Sequence, residues 1–443
     1  RPITVSNANQ YVNHPTEAAI VLNTPFSLIR TIGKNVFEEP KYFTDEKQML
    51  SYYSPIHQPA PGTVMNKKNV VVLIVESFGR EYIGSLNRDL DGGKYRGYTP
   101  FVDSLLTHSL TFEYTFANGR KSIDAMPSTL SSIPMMVEPF FLTPASMNDL
   151  TGLAGMLHDK GYYSAFFHGA QNGSMGFEAF ARATGYDKYF GRTEYNADPK
   201  GGGDADFDGM WAVWDDPYLQ HVVRMVNGFK QPFVASVFTA SSHHPFKVPE
   251  QYAATFKDEG GQPIHKCVRY TDMALRKFFE AASKQPWYKN TVFVLVADHT
   301  NPYYKTDQGL YSIPIIFYTP DGSLETGVKQ GVIAQQIDVL PTLMGMLGYD
   351  KPYIAFGCDL LHTPAAQTWA FNYNNGVYQY FKGDFLLQFD GQKTKALYRF
   401  KTDPLLKQNL AGKLPNQSQL ENELKSLIQQ YMHRMTTNTL IMK

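Results

Sequence analysis

The chain has 443 residues with 43% hydrophobic and 19% charged side chains, an ordinary balance for a globular protein. Its 41 basic and 41 acidic side chains give a formal net charge of zero. The chain therefore lacks the excess of positive charge that would indicate nucleic acid as a partner. The length predicts one large domain with appendages. The sequence contains no run of eighteen apolar residues, so no transmembrane span is predicted within it.

The two cysteines, Cys267 and Cys358, match no zinc or redox spacing. One disulfide between them is an open alternative, but a helical position for Cys267 and a loop position for Cys358 favour two free thiols. The chain starts at Arg1 rather than Met, and we expect that a longer precursor was cut or trimmed ahead of this point.

Residues 1–65 carry many prolines and lack strand periodicity, with a short helix predicted only at 17–23. This composition predicts an extended leader that links the following domain to something upstream.

From about residue 66 to 361, apolar strands alternate with helical stretches, which predicts a doubly wound, mostly parallel α/β sheet. Thr99 and Pro100 are a predicted N-cap and first helical residue, and Gly161 is a predicted glycine just past a helix end. The predicted strands are 69–75, 162–167, 232–239, 291–297 and 312–318, and the predicted helices are 99–109, 148–160 and 267–283.

After residue 361 the pattern changes to four short strands separated by glycine-containing turns, at 369–373, 377–381, 385–389 and 395–400. Such spacing predicts an antiparallel meander, and a helix is predicted from about 417 to 435. We therefore divide the chain into a leader (1–65), a main domain (66–361) and a C-terminal antiparallel subdomain packed on the core (362–443).

Three glycines at 201–203 precede Asp204, Asp206 and Asp208. A calcium loop is one interpretation, but the spacing lacks the full pattern of an EF-hand. The favoured interpretation is a solvated, flexible loop.

Acidic residues end two of the predicted buried strands. Asp298 and His299 follow the strand 291–297, and Glu76 follows the strand 69–75. Ligands collect beyond the carboxyl ends of parallel strands, and a buried carboxylate is costly unless it is paired or bound to a metal. These three side chains therefore predict one divalent metal site, although unrelated loop carboxylates remain the alternative.

Ser122 is predicted to begin a helix just after Gly119, Arg120 and Lys121. The dipole of that helix and its free N–H groups would stabilise an alkoxide or bind an oxyanion. Arg120 and Lys121 add positive charge suited to phosphate or sulfate. An ordinary serine N-cap is the competing interpretation of this segment.

Histidines also lie at predicted strand ends. His243 and His244 follow the strand 232–239, and His168 ends the strand 162–167. At such positions a histidine donates a hydrogen bond to a transferring anion or protonates a leaving oxygen.

Together these segments resemble the alkaline phosphatase superfamily, and within it the lipoteichoic-acid-synthase-like branch of the sulfatase domain. The resemblance runs from about residue 69 to 361, and the segments 336–342, 356–361 and 396–410 also carry it. It implies an alkaline-phosphatase-like catalytic domain at 66–361. It also implies that the chain is the ectodomain of a bacterial cell-envelope protein, placed at the outer face of the cytoplasmic membrane and anchored through a segment absent from this chain.

By that resemblance, Ser122 is the nucleophile and one divalent metal is bound by Glu76, Ser122, Asp298 and His299. Manganese is the expected ion, with zinc and magnesium as alternatives. His243 and His168 match positions that contact the substrate phosphate.

Two segments depart from the family pattern. Residues 121–124 lack the Cys-x-Pro-Ser-Arg sequence of true sulfatases, so the sulfatase label describes ancestry rather than the reaction. Residues 170–177 lack the Asp, Trp and Arg with which lipoteichoic acid synthases hold glycerol phosphate, so the resemblance does not extend to that substrate.

The leading hypothesis is a metal-dependent phosphotransferase or phosphodiesterase acting on lipid- or glycan-linked head groups. The alternatives are a sulfuric ester hydrolase that uses Ser122 unmodified, and a non-catalytic envelope binding module.

Overall fold

An eight-stranded sheet forms the centre of the fold in the computed structural model, which describes residues 36–258, 261–300 and 309–442. In chain order the strands of the protein are β1 (Ile56–His57), β2 (Asn69–Val75), β3 (Leu110–Phe116), β4 (Tyr163–His168), β5 (Lys188–Phe190), β6 (Phe233–Phe238), β7 (Thr291–Ala297), β8 (Ile315–Tyr318), β9 (Gly327–Gln335), β10 (Tyr353–Ile354), β11 (Trp369–Asn374), β12 (Val377–Lys382), β13 (Phe385–Phe389) and β14 (Thr394–Tyr398).

The main sheet has the order β5-β4-β6-β2-β7-β8-β3-β9. Only β8 runs antiparallel to its neighbours, β7 and β3. Every residue of β2 and β7 is buried, as expected for central strands that are covered on both faces. The predicted doubly wound, mostly parallel sheet is therefore confirmed.

The described helices are more numerous than the sequence predicted; those predicted at 99–109 and 148–160 are shorter than expected, and those predicted at 267–283 and 417–435 are slightly longer. They are α1 (Glu46–Tyr52), α2 (Pro100–Leu106), α3 (Ser122–Ser131), α4 (Leu153–His158), α5 (Phe177–Ala183), α6 (Arg192–Asn196), α7 (Asp215–Val226), α8 (Ile264–Ala282), α9 (Val339–Leu347) and α10 (Gln417–Thr437). Within the described ranges, none combines the length and apolar character that crossing a bilayer requires.

Thr99 occupies the N-cap position of α2 and Pro100 is its first residue, as predicted. The Thr99 side chain, however, makes no cap hydrogen bond. Instead, the carboxylate of Asp272 on α8 accepts hydrogen bonds from the backbone N–H groups of Phe101 and Val102, each at 2.9 Å. A residue 170 positions away therefore satisfies the first turn of α2, and it also fixes α2 against α8.

The C-terminal strands β11 to β14 form a separate antiparallel sheet in sequence order, as predicted. This sheet contacts the main sheet through β9, where the Phe371 N–H donates to Gln335 Oε1 at 2.9 Å. The rings of Phe116 and Phe381 stack with centroids 4.5 Å apart. The boundaries at residues 66 and 361 stay a prediction.

Part of the predicted leader packs on α10. The Tyr42 and Phe43 N–H groups both donate to Gln429 Oε1 at 3.0 Å, and the Ser426 hydroxyl donates to the Met49 carbonyl at 2.7 Å. Strand β1 pairs with β10. The predicted helix at 17–23 lies outside the described residues.

The aspartates of the predicted flexible loop make separate contacts rather than a shared site. Asp204 pairs with Arg192 at 2.6 Å, and Asp206 accepts a hydrogen bond from the Tyr195 hydroxyl. Asp208 Oδ1 accepts from the N–H groups of residues 210, 211 and 212 at 2.7–3.2 Å. The calcium interpretation therefore finds no support in the geometry, and the carboxylates instead hold the loop in shape.

Cys267 and Cys358 are both free thiols, which confirms the favoured interpretation.

Candidate metal centre and nucleophile

The register of the two central strands brings the predicted acidic ligands together. Val75 at the end of β2 is paired with Ala297 at the end of β7. Glu76 and Asp298 therefore leave neighbouring strands at the same level, where strands lie about 4.8 Å apart. One carboxylate oxygen from each, together with a ring nitrogen of His299, all lie within 4.8 Å of one another.

Ser122 joins this group from the N-terminus of α3. Its hydroxyl donates to Glu76 Oε2 at 3.0 Å and lies 3.5 Å from His299 Nε2. Ser122 is the first helical residue, and Lys121 is the cap position. The competing interpretation of Ser122 as an ordinary N-cap is therefore wrong, because the hydroxyl bonds a carboxylate instead of a helix amide.

Among the described residues, the salt-bridge partner of the site's carboxylates is the His299 ring, whose Nε2 lies 3.6 Å from Glu76 Oε1 and 3.3 Å from Asp298 Oδ2. Asp298 Oδ1 accepts the N–H groups of Ser77 and His299, each at 2.7 Å, whereas Oδ2 is buried with no hydrogen-bond donor. Burial, reinforced by the nearby Glu76 carboxylate, raises the pKa of Asp298 to about 8. A buried carboxylate oxygen with no donor is costly, and a bound cation would satisfy it.

His299 has the orientation of a metal ligand. Its Nδ1 donates to the Thr300 carbonyl at 2.7 Å, so Nε2 points toward Asp298 and Glu76. A backbone carbonyl that accepts the other ring N–H commonly fixes a ligating histidine in this tautomer. Burial opposes the charged ring, but the two carboxylates raise the pKa of His299 above its usual value. These residues therefore fit a single divalent ion.

Two residues that sequence reasoning missed position this group. Thr239 Oγ1 accepts the Glu76 N–H at 3.0 Å. Gln336 Nε2 donates to the carbonyls of Ala297 and Asp298 at 2.9 and 2.7 Å, while its Oε1 accepts the Asn118 N–H at 2.9 Å. The resemblance includes Gln336 within the segment 336–342, but its role depends on a contact 218 residues away.

Arg120 and Lys121 are exposed at the loop that precedes α3. Asp124 Oδ2 accepts the backbone N–H groups of both residues at 3.2 Å. A Cβ on Gly119 would lie 2.3 Å from the Asp124 Cβ, so only glycine fits there. The structure therefore holds this loop by its backbone and leaves the two cationic side chains in the solvent.

His168 and His243 lie on either side of Trp211. The Trp211 ring centroid is 5.2 Å from that of buried His168 and 4.7 Å from that of exposed His243. His168 Nδ1 bonds the Phe238 carbonyl at 3.1 Å, and its Nε2 is buried without a partner. Burial lowers the pKa of His168 to about 4, so the ring is neutral near pH 7 and Nε2 is an acceptor. Sequence reasoning missed Trp211, because its segment carries no strand or helix signal.

The sequence profile of the sulfatase family matches residues 68–349, more than half of the chain. The chain belongs to the sulfatase family. Its fold and this family together identify it as an enzyme of the alkaline phosphatase superfamily, as the sequence resemblance implied.

Curated relatives and a solved structure agree with this assignment. Lipoteichoic acid synthase 1 of Bacillus subtilis is 26% identical over 401 residues, which cover 83% of this chain and 58% of the relative. Phosphoglycerol transferase I of Salmonella choleraesuis is 24% identical over 257 residues, covering 55% of this chain and 32% of the relative. The chain thus spans about half or less of these relatives. A Vibrio parahaemolyticus protein of the alkaline phosphatase superfamily shares the sulfatase-family fold with a TM-score of 0.76, at 22% identity, over 90% of this chain and 98% of that one.

Proposed function

We propose that this sulfatase-family chain is a metal-dependent phosphotransferase or phosphodiesterase that uses Ser122 as its nucleophile. The observation that carries the proposal is the Ser122 hydroxyl. It stands at the N-terminus of α3, hydrogen-bonded to Glu76 and next to His299. A hydroxyl in this position is close to a base and to free helix N–H groups that stabilise an oxyanion.

Glu76, Ser122, Asp298 and His299 would hold one divalent ion, with manganese expected and zinc or magnesium as alternatives. Such an ion, when bound, supplies Lewis-acid stabilisation of phosphoryl oxygens and lowers the pKa of a ligating hydroxyl.

Separate residues of the chain are proposed to accept the proton and to bind the anionic group. The Ser122 hydroxyl proton points at Glu76 Oε2, which is placed to accept it as Oγ attacks phosphorus. Arg120 and Lys121, on the loop leading into α3, supply positive charge for the anionic group.

The cluster of His168, Trp211 and His243 is proposed to bind the transferred head group. The Trp211 face is partly exposed and offers an apolar wall, and His168 Nε2 is an acceptor suited to a head-group hydroxyl. His243 stays the predicted phosphate contact.

The proposed substrate is a lipid- or glycan-linked phosphodiester at the outer face of a bacterial cytoplasmic membrane. Support comes from relatives named as a lipoteichoic acid synthase and a phosphoglycerol transferase. The second name makes glycerol phosphate a candidate head group, although residues 170–177 lack the family's usual contacts for it. An aromatic side chain does reach His168 here, from position 211 instead.

The test is Ser122-dependent turnover of bis(p-nitrophenyl) phosphate after chelation and reconstitution with manganese, zinc or magnesium. Ser122→Ala should abolish p-nitrophenol release, because it removes the attacking oxygen, while the melting temperature changes little. The matched control is Ser128→Ala. The Ser128 hydroxyl lies in the same helix but bonds the carbonyls of Asp124 and Ile133 rather than the metal ligands.

Equal turnover by wild type and Ser122→Ala at equal metal content would remove Ser122 from the mechanism. Turnover of p-nitrophenyl sulfate but not of the phosphodiester would support the sulfuric ester hydrolase instead. A stably folded protein that neither binds metal nor turns over substrate would support the non-catalytic binding module.

A further inference from the structure

A cavity of about 540 Å³ opens beside the nucleophile segment. Three parts of the chain line it: the loop that carries Arg120 and Lys121, residues 135–139, and the turn between β11 and β12 at 373–376. Its volume falls within the range of roughly 300–1,000 Å³ that is typical of small-molecule sites. The C-terminal sheet therefore forms one wall of a cavity next to Ser122.

The wall formed by residues 135–139 has a strained backbone. Val137 has a φ of +68°, in the left-handed region that a β-branched residue rarely adopts. The Glu138 N–H donates to the Met136 carbonyl at 2.8 Å, which closes a tight turn around Val137. Strain of this kind persists where the surrounding structure imposes it, and it concentrates at ligand sites. Here it turns the exposed carboxylate of Glu138 toward the cavity.

The wall formed by the C-terminal sheet includes the two-residue turn between β11 and β12. Asn374 pairs with Val377, and the turn residues Asn375 and Gly376 have φ values of 48° and 85°. Asparagine and glycine favour this hairpin geometry. Within the described chain, the side-chain amides of Asn374 and Asn375 have no hydrogen-bond partner, so they are available to a ligand.

The polar groups differ between the walls of the cavity. Arg120 and Lys121 lie on the loop that leads to Ser122, and neither makes a salt bridge within the described ranges. Glu138 lies on the wall of residues 135–139, and Tyr373 and Asn374 lie on the hairpin wall; they offer a carboxylate, a phenol and an amide. The first set suits a phosphoryl group, and the second suits the donor and acceptor pattern of sugar or polyol hydroxyls.

We propose that this cavity is an acceptor subsite and that it takes a hydroxyl-rich sugar or polyol. The inference rests on the proposed function, and it assigns a role to the hairpin between β11 and β12. It places the acceptor between the nucleophile loop and the C-terminal sheet, whereas the head group lies on the side of β4 and β6.

The transfer has two displacements. In the first, Ser122 Oγ forms a bond to phosphorus, and the donor alcohol leaves with the proton that Ser122 gives up. In the second, a hydroxyl oxygen of the acceptor forms a bond to phosphorus, the bond from phosphorus to Ser122 Oγ breaks, and the acceptor proton restores the serine hydroxyl. Water in place of the acceptor gives hydrolysis, so the ratio of transfer to hydrolysis measures occupancy of the acceptor subsite.

The experiment uses bis(p-nitrophenyl) phosphate as donor, with glycerol, maltose or cellobiose as acceptor. Released p-nitrophenol reports the first displacement, and phosphorus NMR of the products separates transfer from hydrolysis. We expect glycerol to contact the nucleophile loop alone, and a disaccharide, which is larger, to contact the hairpin wall as well. Wild type should therefore transfer to at least one disaccharide at a half-saturating concentration about tenfold below that for glycerol.

Asn374→Ala should raise that concentration about fivefold, the size expected for one lost hydrogen bond, and Glu138→Gln should act in the same direction. Transfer to glycerol and hydrolysis should stay within about twofold of wild type, since neither residue belongs to the proposed catalytic group. The matched control is Gln392→Ala, which removes an exposed amide from another turn of the same sheet, outside the cavity.

Equal half-saturation for glycerol and both disaccharides in wild type would overturn the subsite. So would the same effect from Asn374→Ala and Gln392→Ala. Failure of the proposed function gives a different result, namely no Ser122-dependent release of p-nitrophenol. In that case the test is saturation-transfer NMR with maltose and cellobiose. Binding that is lost in Asn374→Ala would support a sugar site in the cavity, and no binding in wild type would overturn that site.

Discussion

Gln336 connects the segment of the proposed metal ligand Asp298 to the loop that leads to Ser122. One side-chain amide joins the carbonyl of Asp298, at the end of β7, to the N–H of Asn118, at the end of β3. Both Gln336 and Asn118 are fully buried, so no water can replace this link. Partners of this kind, one step removed from the ligands, orient a site without touching the ion.

Gln336→Ala is therefore expected to weaken manganese binding about tenfold or more, because the Asp298 backbone and the loop leading to Ser122 lose their common support. Isothermal titration of the metal-free protein measures this change. The control is Gln330→Ala, an exposed amide on β9. Equal manganese affinity in the two variants would show that the strand register alone positions Asp298.

His168 should make stability depend on pH. Burial lowers its pKa to about 4, against about 6.5 for an ordinary histidine. Between these values the unfolded chain binds a proton that the folded chain does not, so stability falls as the pH drops below 6.5. At pH 4.5 this loss amounts to roughly 2.5 kcal/mol.

His168→Phe keeps a ring of similar shape but removes the titration. The drop in unfolding free energy between pH 7.5 and pH 4.5 should be roughly 2.5 kcal/mol smaller in this variant than in wild type. Urea denaturation at the two pH values measures the difference, and buried carboxylates common to both proteins cancel. Parallel pH profiles would mean that His168 is protonated in the folded protein.

At the scale of elements, the sequence predicts a strand best where apolar side chains fill almost the whole of it. The continuous apolar runs of β2 and β7 predicted both strands, and with them the strand ends at which Glu76 and Asp298 lie close together. Strands β3 and β9 were missed, because β3 mixes polar and aromatic residues and the first half of β9 is polar and largely exposed. The pairing of Val75 with Ala297 brings Glu76 and Asp298 side by side. This register depends on tertiary structure, and no local sequence pattern predicts it.

The capping of α2 by Asp272 shows the same limit for a helix. A local rule pointed to Thr99, but a carboxylate from α8 takes both amide groups. Asp272→Ala should lower the unfolding free energy by about 1–2 kcal/mol, since it leaves buried N–H groups without an acceptor.

Urea denaturation of Asp272→Ala beside Glu280→Ala measures the effect. Glu280 lies on the same helix, but it is exposed and its one ion pair among the described residues is with Arg276, so its removal should cost about 0.5 kcal/mol or less. If both variants had the same unfolding midpoint, the N-terminus of α2 would not depend on α8.

At the scale of the whole molecule, residues 36–57 contact two parts of the fold that are far apart in sequence, residues 353–356 and α10. The Tyr53 hydroxyl donates to the Phe356 carbonyl at 2.8 Å, and β1 pairs with β10. The same segment bonds buried Gln429 and Ser426 on α10, and the ring of Phe37 packs edge-on against Tyr431 with centroids 5.7 Å apart. It belongs to the longer segment 1–65, whose prolines and lack of strand periodicity predicted a linker. The segment nevertheless covers the polar side chains of Gln429 and Ser426, which lie on the buried face of α10 and would otherwise be exposed.

A chain that begins at residue 66 should therefore melt roughly 5 °C or more below one that begins at residue 36. The shorter chain loses the acceptors and donors that pair with Gln429 and Ser426, and it exposes the Tyr431 ring. Differential scanning calorimetry of the two chains, each loaded with the same metal, measures the difference. Metal affinity should be unchanged where the shorter chain is folded, because none of the ligands contacts the removed segment. Identical melting temperatures would instead show that the segment only links this domain to what precedes it, as its composition suggests.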